Sequence, residues 1–489
     1  MDGPRRELNK REKRASARAL LTKEKGLEQA ATAAAIATAE AAGRGRLLRV
    51  LGFAFGVAVT IGGVIGMGIL RTPGEVAAQL PGTWLFITVW IVGGLYALLG
   101  AISVAELGTM LPRSGGFYVF VRRALGPFAG FVVGWSDWLS TCGTTAAVAL
   151  VMGEYTTALI PRLAGRSVGI ALAVTIGFAL LQWRGVRWGS GAQQLTSLLK
   201  ALAFVALIAA CFILGGNGSA INETALPLKT GWAFVGALVL AMQGVIYTYD
   251  GWYNMIYFSG EVRRPERDIP RSMIGSMLLV MGLYLLINLA LVYVLPLSGI
   301  AGQELAVGAA AQALFGVYAG TIISILATVS MLSTINANNM ITPRILFAMS
   351  RDGLFSERAL KVNRGGTPTV TLFISTTMTV LFILSGTFRK VIALLAFFFV
   401  VNYTMTFVSV FVLRRREPHA ARPFRAWGYP WTTLLVLTGS LAFLLGALAS
   451  DTRNSLYALL LLAASYPAFL ILRWTTNAKK TEERENGEG

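Results

Sequence analysis

The chain has 489 residues, of which 55% are hydrophobic and only 14% are charged, and its mean hydropathy is +0.62. Soluble globular proteins carry about 25% charged residues, so this composition excludes a soluble enzyme and a disordered protein. The net charge of +19 lies in short segments between apolar runs, which indicates orientation in a bilayer rather than nucleic acid binding. Two cysteines and one histidine, His419, make neither a disulfide framework nor a metal site, and no cofactor is expected.

Charge-free runs predict an all-α integral membrane protein with twelve transmembrane helices. A helix needs about 20 apolar residues to cross the hydrocarbon core of a bilayer. Numbered in chain order, spans 1 to 12 are expected at 50–70, 84–106, 126–158, 167–183, 192–214, 231–258, 273–296, 317–349, 368–386, 389–413, 431–450 and 455–473.

The distribution of Lys and Arg predicts the orientation. With both termini in the cytoplasm, the inner segments hold 34 of these residues and the outer loops hold 7. Because cytoplasmic loops are rich in Lys and Arg, this orientation is expected, in a plasma or bacterial inner membrane. Residues 1–46 are expected to be a basic cytoplasmic tail, disordered or partly helical, and 475–489 a second tail. Four tryptophans are expected to anchor the inner ends: Trp183, Trp188, Trp427 and Trp474.

Two spans carry residues that interrupt a helix. Span 1 has four glycines between Gly62 and Gly68, and span 6 contains the run Tyr247–Trp252, with Asp250-Gly251 at its centre. Interrupted helices in corresponding positions of two halves predict a transporter site, because a half-helix start offers N–H groups to an anion and an unwound end offers carbonyls to a cation. An α-amino acid carries both charges. The alternative for the glycines is close helix packing.

Several motifs together resemble the amino acid–polyamine–organocation transporters, in particular the L-type amino acid exchanger branch and its bacterial relatives. The resemblance covers roughly 47–415. It rests on these segments: Gly66–Leu70 (GMGIL), Ala105–Gly108 (AELG), Pro112–Tyr118 (PRSGGFY), Tyr247–Trp252 (YTYDGW), Glu261-Val262, Pro265–Pro270 (PERDIP), Ser350–Leu354 (SRDGL) and Gly366–Pro368 (GTP).

The resemblance implies a five-plus-five inverted-repeat fold with alternating access. Ten core helices over 47–415 would form the transport unit, and helices 11 and 12 would follow over 416–474. The substrate carboxylate would meet the N–H groups of residues 66–68, the ammonium would meet carbonyls at both breaks, and Tyr247 would be an aromatic gate. The expected substrate-binding residues are Val64, Gly66, Met67, Gly68, Tyr247, Thr248 and Asp250. A Cβ on Gly68 is expected to intrude where the substrate oxygens approach.

Ionisable residues inside spans are candidates for function. Lys200 resembles the helix 5 lysine of sodium-independent relatives, whose ammonium takes the place of a sodium ion; the alternative is snorkelling to the inner interface. Asp250 could pair with a cationic substrate, take up a proton or cap the second half of helix 6. Asp137 is either a buried hydrogen-bond partner or part of the pathway.

Charges near the predicted inner ends have a structural interpretation. Glu106 and Arg344 are expected to be interfacial anchors or partners in a gate salt bridge. The alternating charges of 261–271 are expected to form solvated pairs in a cytoplasmic loop.

The sequence thus predicts a secondary transporter of amino acids, either a sodium-independent exchanger or a proton-linked permease. Its partners are expected to be the amino acid and the lipid bilayer, without an obligatory protein partner. A polyamine or organic-cation transporter of the same fold is the alternative, and a channel is a distant one. An intramembrane enzyme would need a nucleophile and base or metal ligands on facing helices, which the sequence lacks.

Overall fold

The structure is a computed structural model that describes residues 47–216, 230–385 and 388–450, and in addition 453, 456–460, 462–463, 465–467 and 469–470. The side chains of 388–396 and 450 are outside this description. The predicted tails 1–46 and 475–489, Trp474 and parts of the last predicted span also lie outside the described residues.

Apart from two isolated β-bridges, the regular elements of this part of the chain are helices. They are α1 (Phe53–Val64), α2 (Gly68–Ala77), α3 (Thr83–Met110), α4 (Phe117–Leu125), α5 (Pro127–Leu159), α6 (Ser167–Arg184), α7 (Val186–Leu214), α8 (Gly231–Thr248), a 3₁₀ helix (Asn254–Glu261), α9 (Pro265–Val294), α10 (Leu297–Ile300), α11 (Ala306–Phe315), α12 (Ala319–Arg351), α13 (Thr369–Ser385), α14 (Phe388–Arg416) and α15 (Trp431–Ser450). Shorter 3₁₀ turns are Pro161–Leu163, Gly316–Tyr318 and Glu357–Leu360.

Eight of the described spans are long and apolar enough to cross a membrane, or nine when the bent pair α1–α2 counts as one. The chain is therefore an integral membrane protein. Three predicted spans are not among these. One is α5, which has 33 residues but is rich in Gly, Ser and Thr; another is α13, with 17 residues; the last coincides with an apolar segment, Leu456–Pro467, that is only partly described. Twelve spans thus remain a prediction.

Span 1 is interrupted as expected, but its predicted end at residue 70 is wrong. Helix α1 ends at Val64, and α2 starts at Gly68 with its axis bent by 47°. Helix α2 continues to Ala77, so Arg71 and Glu75 are helical rather than part of an outer loop. These two charges ended the apolar run in the sequence. They do not end the helix, because their side chains face a cavity that water can enter.

Span 6 is interrupted as expected, within the run Tyr247–Trp252, and its second part is a 3₁₀ helix rather than an α-helix. Helix α8 ends at Thr248, and after a turn the chain forms the 3₁₀ helix. Gly251 in this turn has φ +100°, and a Cβ there would lie 3.0 Å from the carbonyl carbon of Gly63. Only glycine combines this backbone conformation with so close an approach, which brings the two breaks together.

The predicted loop over 261–271 is also partly helical. Helix α9 begins at Pro265, with Glu266 and Asp268 in its first turn. Proline suits the first position of a helix, and acidic side chains are stabilised by the positive end of the helix dipole. The alternating charges of 261–271 therefore include the first turn of a helix.

Most of the charged loops lie at one end of the molecule, here called the arginine-rich end: 111–116, 262–264, 352–368 and 417–430. Cross-contacts such as Arg113–Asp352 and Arg123–Glu417 join these loops. Helices α5 and α12 pack against each other through the middle of the molecule and face the breaks of α1–α2 and α8. Trp183, Trp188 and Trp427 are exposed at the arginine-rich end, where the sequence predicts interfacial anchors.

Candidate substrate site

The break between α1 and α2 frees carbonyl oxygens that have no helical N–H partner. In a bilayer such groups must be satisfied by other parts of the protein. Lys200 of α7 donates to the carbonyls of Gly62 and Ile65, with 2.9 Å between its Nζ and the Gly62 oxygen. Ser330 of α12 donates to Ile65 (3.1 Å), and Thr334 donates to Gly62 (3.0 Å). Side chains of two other helices therefore hold the broken end of α1.

Lys200 is completely buried, with 0% of its surface exposed. This burial excludes snorkelling to the interface. Its Nζ lies at the C-terminal end of α1, where the helix dipole is negative. On the same face of α7, Gln193 and Ser197 donate to the carbonyl of Ala58, at 3.3 and 2.7 Å. A polar stripe of α7 thus runs along α1 up to the break.

The start of α2 leaves N–H groups available. No side chain caps this helix, and the first N–H groups of a helix have no partner within it. In the described part of the chain, the N–H groups of Gly66 and Met67 also donate to no backbone carbonyl. A Cβ on Gly66 would meet no atom within 4 Å, whereas a Cβ on Gly68 would lie 3.1 Å from the side chain of Thr248. The expectation for Gly68 is therefore wrong, since an added Cβ there points at α8, and the open space lies beside Gly66.

The other two glycines of the break serve close packing. A Cβ on Gly62 would lie 2.0 Å from the amide nitrogen of Gln193, and one on Gly63 would lie 1.9 Å from that of Asn254. A Cβ at either position would have to displace these buried amide side chains, so glycine allows the close contact. The packing interpretation and the binding-site interpretation thus apply to different glycines of the same run.

Tyr284 of α9 ties the two breaks together. Its hydroxyl lies 2.8 Å from the carbonyl oxygen of Val64 and 3.2 Å from that of Thr248. Thr248 also pairs with Thr72 of α2, with 2.8 Å between their hydroxyl oxygens. Tyr284 was not predicted from the sequence, although a tyrosine within an apolar span is a signal, because its buried hydroxyl must find a partner.

Asp250 lies in the turn after α8. Its Oδ2 accepts a hydrogen bond from the Tyr253 hydroxyl at 2.9 Å. The following 3₁₀ helix has no side-chain cap, so capping by Asp250 is not present in the structure.

The two breaks face a cavity of about 180 Å³, here called the central cavity. All seven predicted substrate-binding residues line it: Val64, Gly66, Met67, Gly68, Tyr247, Thr248 and Asp250. Lys200 does not line it but lies behind the break. Asp250 is the one charged side chain on its wall among the described residues.

Helices α5 and α12 provide polar walls that the sequence analysis missed. Thr141, Thr144, Thr334 and Asn338 all line the central cavity. The signal was present: polar residues inside membrane helices face the interior of the bundle, and each pair is spaced by three or four residues and so shares one helix face.

A second cavity of about 370 Å³ adjoins the central cavity on the side of α2 and is here called the vestibule. The two share five lining residues: Met67, Gly68, Thr144, Val148 and Tyr247. Tyr247 lies at this junction and is 47% exposed. The central cavity therefore communicates with the end of the molecule opposite the arginine-rich end.

Toward the arginine-rich end, buried polar contacts close the central cavity. The hydroxyl of Tyr257, on its wall, lies 2.9 Å from both carboxylate oxygens of Asp137. Asp137 is fully buried on α5 and is a hydrogen-bond partner, which is one of its two expected roles.

Glu261 and Arg344 form a bidentate ion pair on the side of Tyr257 that faces the arginine-rich end. Arg344 Nε lies 2.6 Å from Oε1 and Nη2 lies 2.7 Å from Oε2, and the two side chains are 2% and 0% exposed. Ser114 donates to the same carboxylate at 3.2 Å, and the guanidinium lies 4.5 Å from the ring centre of Phe258. The expectation of solvated pairing for Glu261 is therefore wrong, and Arg344 is a salt-bridge partner, which is one of its two expected roles.

Asp352 and Glu106 complete the closure. Asp352 accepts from Tyr118 at 3.2 Å and pairs with Arg113 and Arg122, each at 3.3 Å. Burial raises the pKa of the Tyr118 hydroxyl, so it stays protonated and donates.

Glu106 pairs with Arg414 in the last turn of α14 and with Arg422 of the segment after it, and it accepts from the N–H of Ala426 at 2.7 Å. Glu106 is thus a salt-bridge partner, one of its two expected roles. Groups from distant parts of the chain bind one another across this end.

These features define the class of the protein. Two interrupted helices, held face to face within a helical membrane bundle and lining one cavity, form the arrangement of a secondary transporter.

Comparison with known proteins identifies the family. The family model for amino acid permeases matches residues 51–466. The serine/threonine exchanger SteT of Bacillus subtilis is 29% identical over 433 residues, which cover 86% of this chain and 96% of that protein. The rabbit large neutral amino acids transporter small subunit 2 is 29% identical over 393 residues, which cover 78% of this chain and 72% of that protein. The human b(0,+)-type amino acid transporter 1 is 24% identical over 388 residues, which cover 78% of this chain and 79% of that protein. The chain belongs to the amino acid permease family and is a transporter rather than an enzyme.

The buried ion pair generates a prediction about stability. Glu261→Gln or Arg344→Met leaves one buried group without its partner, which costs about 3–5 kcal/mol. Each variant should therefore unfold at a lower temperature than the wild type, measured by tryptophan fluorescence in detergent. The double variant Glu261→Leu/Arg344→Met should regain much of the loss, because no charge is left alone.

The exposed pair Arg123–Glu417 is the control for this measurement. Arg123→Gln should change the unfolding free energy by at most about 1 kcal/mol, since exposed ion pairs contribute little. Single variants at Glu261 and Arg344 that unfold like the wild type would contradict the energetic role of the buried pair.

Proposed function

We propose that this permease exchanges amino acids by alternating access, with the substrate at the two helix breaks. The observation that carries the proposal is the meeting of opposite backbone ends in one cavity. Uncapped N–H groups at the start of α2 and carbonyls at the end of α8 face the same small space. The N–H groups stabilise an anion and the carbonyls stabilise a cation. An α-amino acid carries a carboxylate and an ammonium group on one carbon.

In this proposal the carboxylate accepts hydrogen bonds from the N–H groups of Gly66, Met67 and Gly68. The ammonium lies toward the carbonyls of Val64, Tyr247 and Asp250. Because the Tyr284 hydroxyl already engages Val64 and the Asp250 N–H already donates to the Tyr247 carbonyl, the carbonyl and the carboxylate of Asp250 provide the stronger attraction.

The cavity volume favours a small substrate. An apolar cavity of about 150 Å³ holds one benzene molecule, so about 180 Å³ suits an amino acid with a short side chain. The bacterial relative SteT is a serine/threonine exchanger, which agrees with this size. A second candidate is an organic cation, favoured by Asp250 as the charged group on the wall within the described residues.

We infer that the structure corresponds to a state open to the outside. The positive-inside rule assigns the arginine-rich end to the cytoplasm, with both termini there, in a plasma or bacterial inner membrane. Buried ion pairs close that end, and Tyr247 leaves the vestibule connected to the central cavity. Alternating access then requires Tyr247 to cover the substrate and the Glu261–Arg344 pair to move apart.

The same proposal includes twelve spans and two inverted five-helix repeats. Its support is the correspondence of the interrupted helices, the first and the sixth predicted spans. We also propose that no obligatory protein partner is needed. The rabbit relative is the small subunit of a transporter, whereas the bacterial relative is named as an exchanger without reference to a subunit.

Exchange in proteoliposomes tests the function. Uptake of radiolabelled serine should saturate and should increase when the vesicles are preloaded with unlabelled serine. Uptake that neither saturates nor responds to the preloaded substrate would indicate a channel instead.

A panel of unlabelled competitors extends this test to Asp250. If its carboxylate holds a second positive charge, Asp250→Asn should weaken competition by lysine and arginine more than by serine and alanine. Equal weakening for both groups would leave Asp250 as a partner of the ammonium or of Tyr253 alone.

The glycines of the break give a matched pair of variants. Gly66→Ala places a methyl group in open space beside the free N–H groups and should reduce kcat/KM for exchange at least about tenfold without lowering thermal stability. Gly68→Ala must displace Thr248, so it should lower the unfolding temperature as well. Normal exchange by Gly66→Ala would place the substrate elsewhere.

We expect uptake to be independent of sodium, because the ammonium of Lys200 occupies the position of an ion beside the α1 carbonyls. Uptake should be unchanged when choline replaces sodium. Lys200→Ala removes one donor, which costs about 1–3 kcal/mol, toward the lower limit here because Ser330 and Thr334 still donate to the same carbonyls. Affinity or turnover should fall, and Lys200→Arg should restore it incompletely, since a guanidinium is larger and planar.

Sodium-dependent uptake by the wild type would contradict this role, and so would full activity of Lys200→Ala. A proton gradient that drives uptake without preloaded substrate would identify a proton-linked permease rather than an exchanger.

A further inference from the structure

The vestibule has a charged wall that the proposed substrate site does not use. Helix α2 lines it with Gly68, Arg71, Thr72 and Glu75, together with Met67 just before the helix. Positions separated by three or four residues share one face of a helix, so these residues form one stripe that starts at the break. From Gly68 to Glu75 the stripe rises by roughly 10 Å, at about 1.5 Å per residue. The charges therefore lie one to two turns beyond the central cavity.

Arg71 and Glu75 are the charged residues on the vestibule wall, and both are exposed. Within the described residues, neither takes part in an ion pair. The order of the two also disfavours pairing, because an acidic residue one turn before a basic one is the better arrangement along a helix. Two opposite charges thus stand one turn apart and available to a ligand.

Ionisable residues in a membrane-embedded helix are costly unless they face water or a partner. The vestibule supplies the water, but solvation alone does not call for charges of both signs on one stripe. A ligand with one negative and one positive group matches them. Arg holds a carboxylate through two parallel hydrogen bonds, and a carboxylate side chain holds an ammonium.

We propose that the vestibule is a second, outer binding site for a zwitterionic amino acid, with Arg71 at its carboxylate and Glu75 at its ammonium. This inference rests on the proposed function, because the ligand is the same substrate before it passes Tyr247. Binding there is weak, since exposed ion pairs contribute little. Its effect is to concentrate amino acids beside the central cavity and to disfavour molecules with only one of the two charges.

A cysteine on the opposite wall reports occupancy directly. Val151 of α5 lines the vestibule but not the central cavity, and the two native cysteines of the chain, Cys142 and Cys211, are buried. Val151→Cys therefore provides the reactive thiol in purified protein. The rate of its modification by a polar methanethiosulfonate reagent is followed by mass spectrometry, with and without L-alanine.

The decisive background is Gly66→Ala, in which the added methyl group is expected to weaken binding in the central cavity and to reduce exchange at least about tenfold. L-Alanine should still slow modification of Val151→Cys there, whereas L-alaninamide and N-acetyl-L-alanine, which each lack one charge, should protect poorly. Adding Arg71→Gln or Glu75→Gln should raise the half-protecting concentration of L-alanine about two- to fivefold. A cysteine at Ala164, exposed at the same end but outside the vestibule, should show no protection in any background.

The outcomes separate the two proposals. Protection that disappears with Gly66→Ala alone would mean that L-alanine acts only through the central cavity, and protection that persists without both charges would mean that Arg71 and Glu75 do not hold it. Either result overturns the outer site while leaving amino acid exchange by the wild type intact. Failure of the proposed function itself would appear separately, as absence of exchange in the wild type.

Discussion

A helix that breaks inside a bilayer must find partners for its freed carbonyls within the protein, and this constraint organises the structure. The carbonyls of Gly62 and Ile65 receive Lys200, Ser330 and Thr334 from α7 and α12. Because the donors come from different helices, the bundle can close around α1 only in an arrangement that brings them all to the break. With the acceptors satisfied from behind, the N–H groups of α2 remain for the cavity.

The two ends of the molecule are built differently for a physical reason. At the arginine-rich end, Glu261 and Arg344 are buried, and a buried charge is tolerated only when paired. At the other end, Arg71 and Glu75 are exposed in the vestibule and need no partner. Because Glu261 and Arg344 are buried, they must pair, and their pairing closes the arginine-rich end. Arg71 and Glu75 are hydrated and stay unpaired within the described residues, and Tyr247 lies between the vestibule and the central cavity.

The differences between prediction and structure have a common cause. Glu261 was expected to be solvated because its neighbours in the chain are charged, but its partner Arg344 lies on α12, 83 residues later. An added Cβ on Gly68 was expected to intrude on the substrate, but it would point at Thr248 of α8. Sequence patterns report the local environment along one helix. They do not report which residue of another helix comes to lie opposite.

The sequence by itself determined the membrane class, the two interrupted spans and the seven residues of the breaks that line the central cavity, because composition and local helix breakers encode these directly. It also singled out Lys200, since an isolated charge in an apolar span requires an explanation. Only the tertiary structure decided that Tyr284 bridges the breaks, that α2 extends to Ala77 and that one end is closed. Each of these depends on contacts between distant segments, which form only when the helices pack.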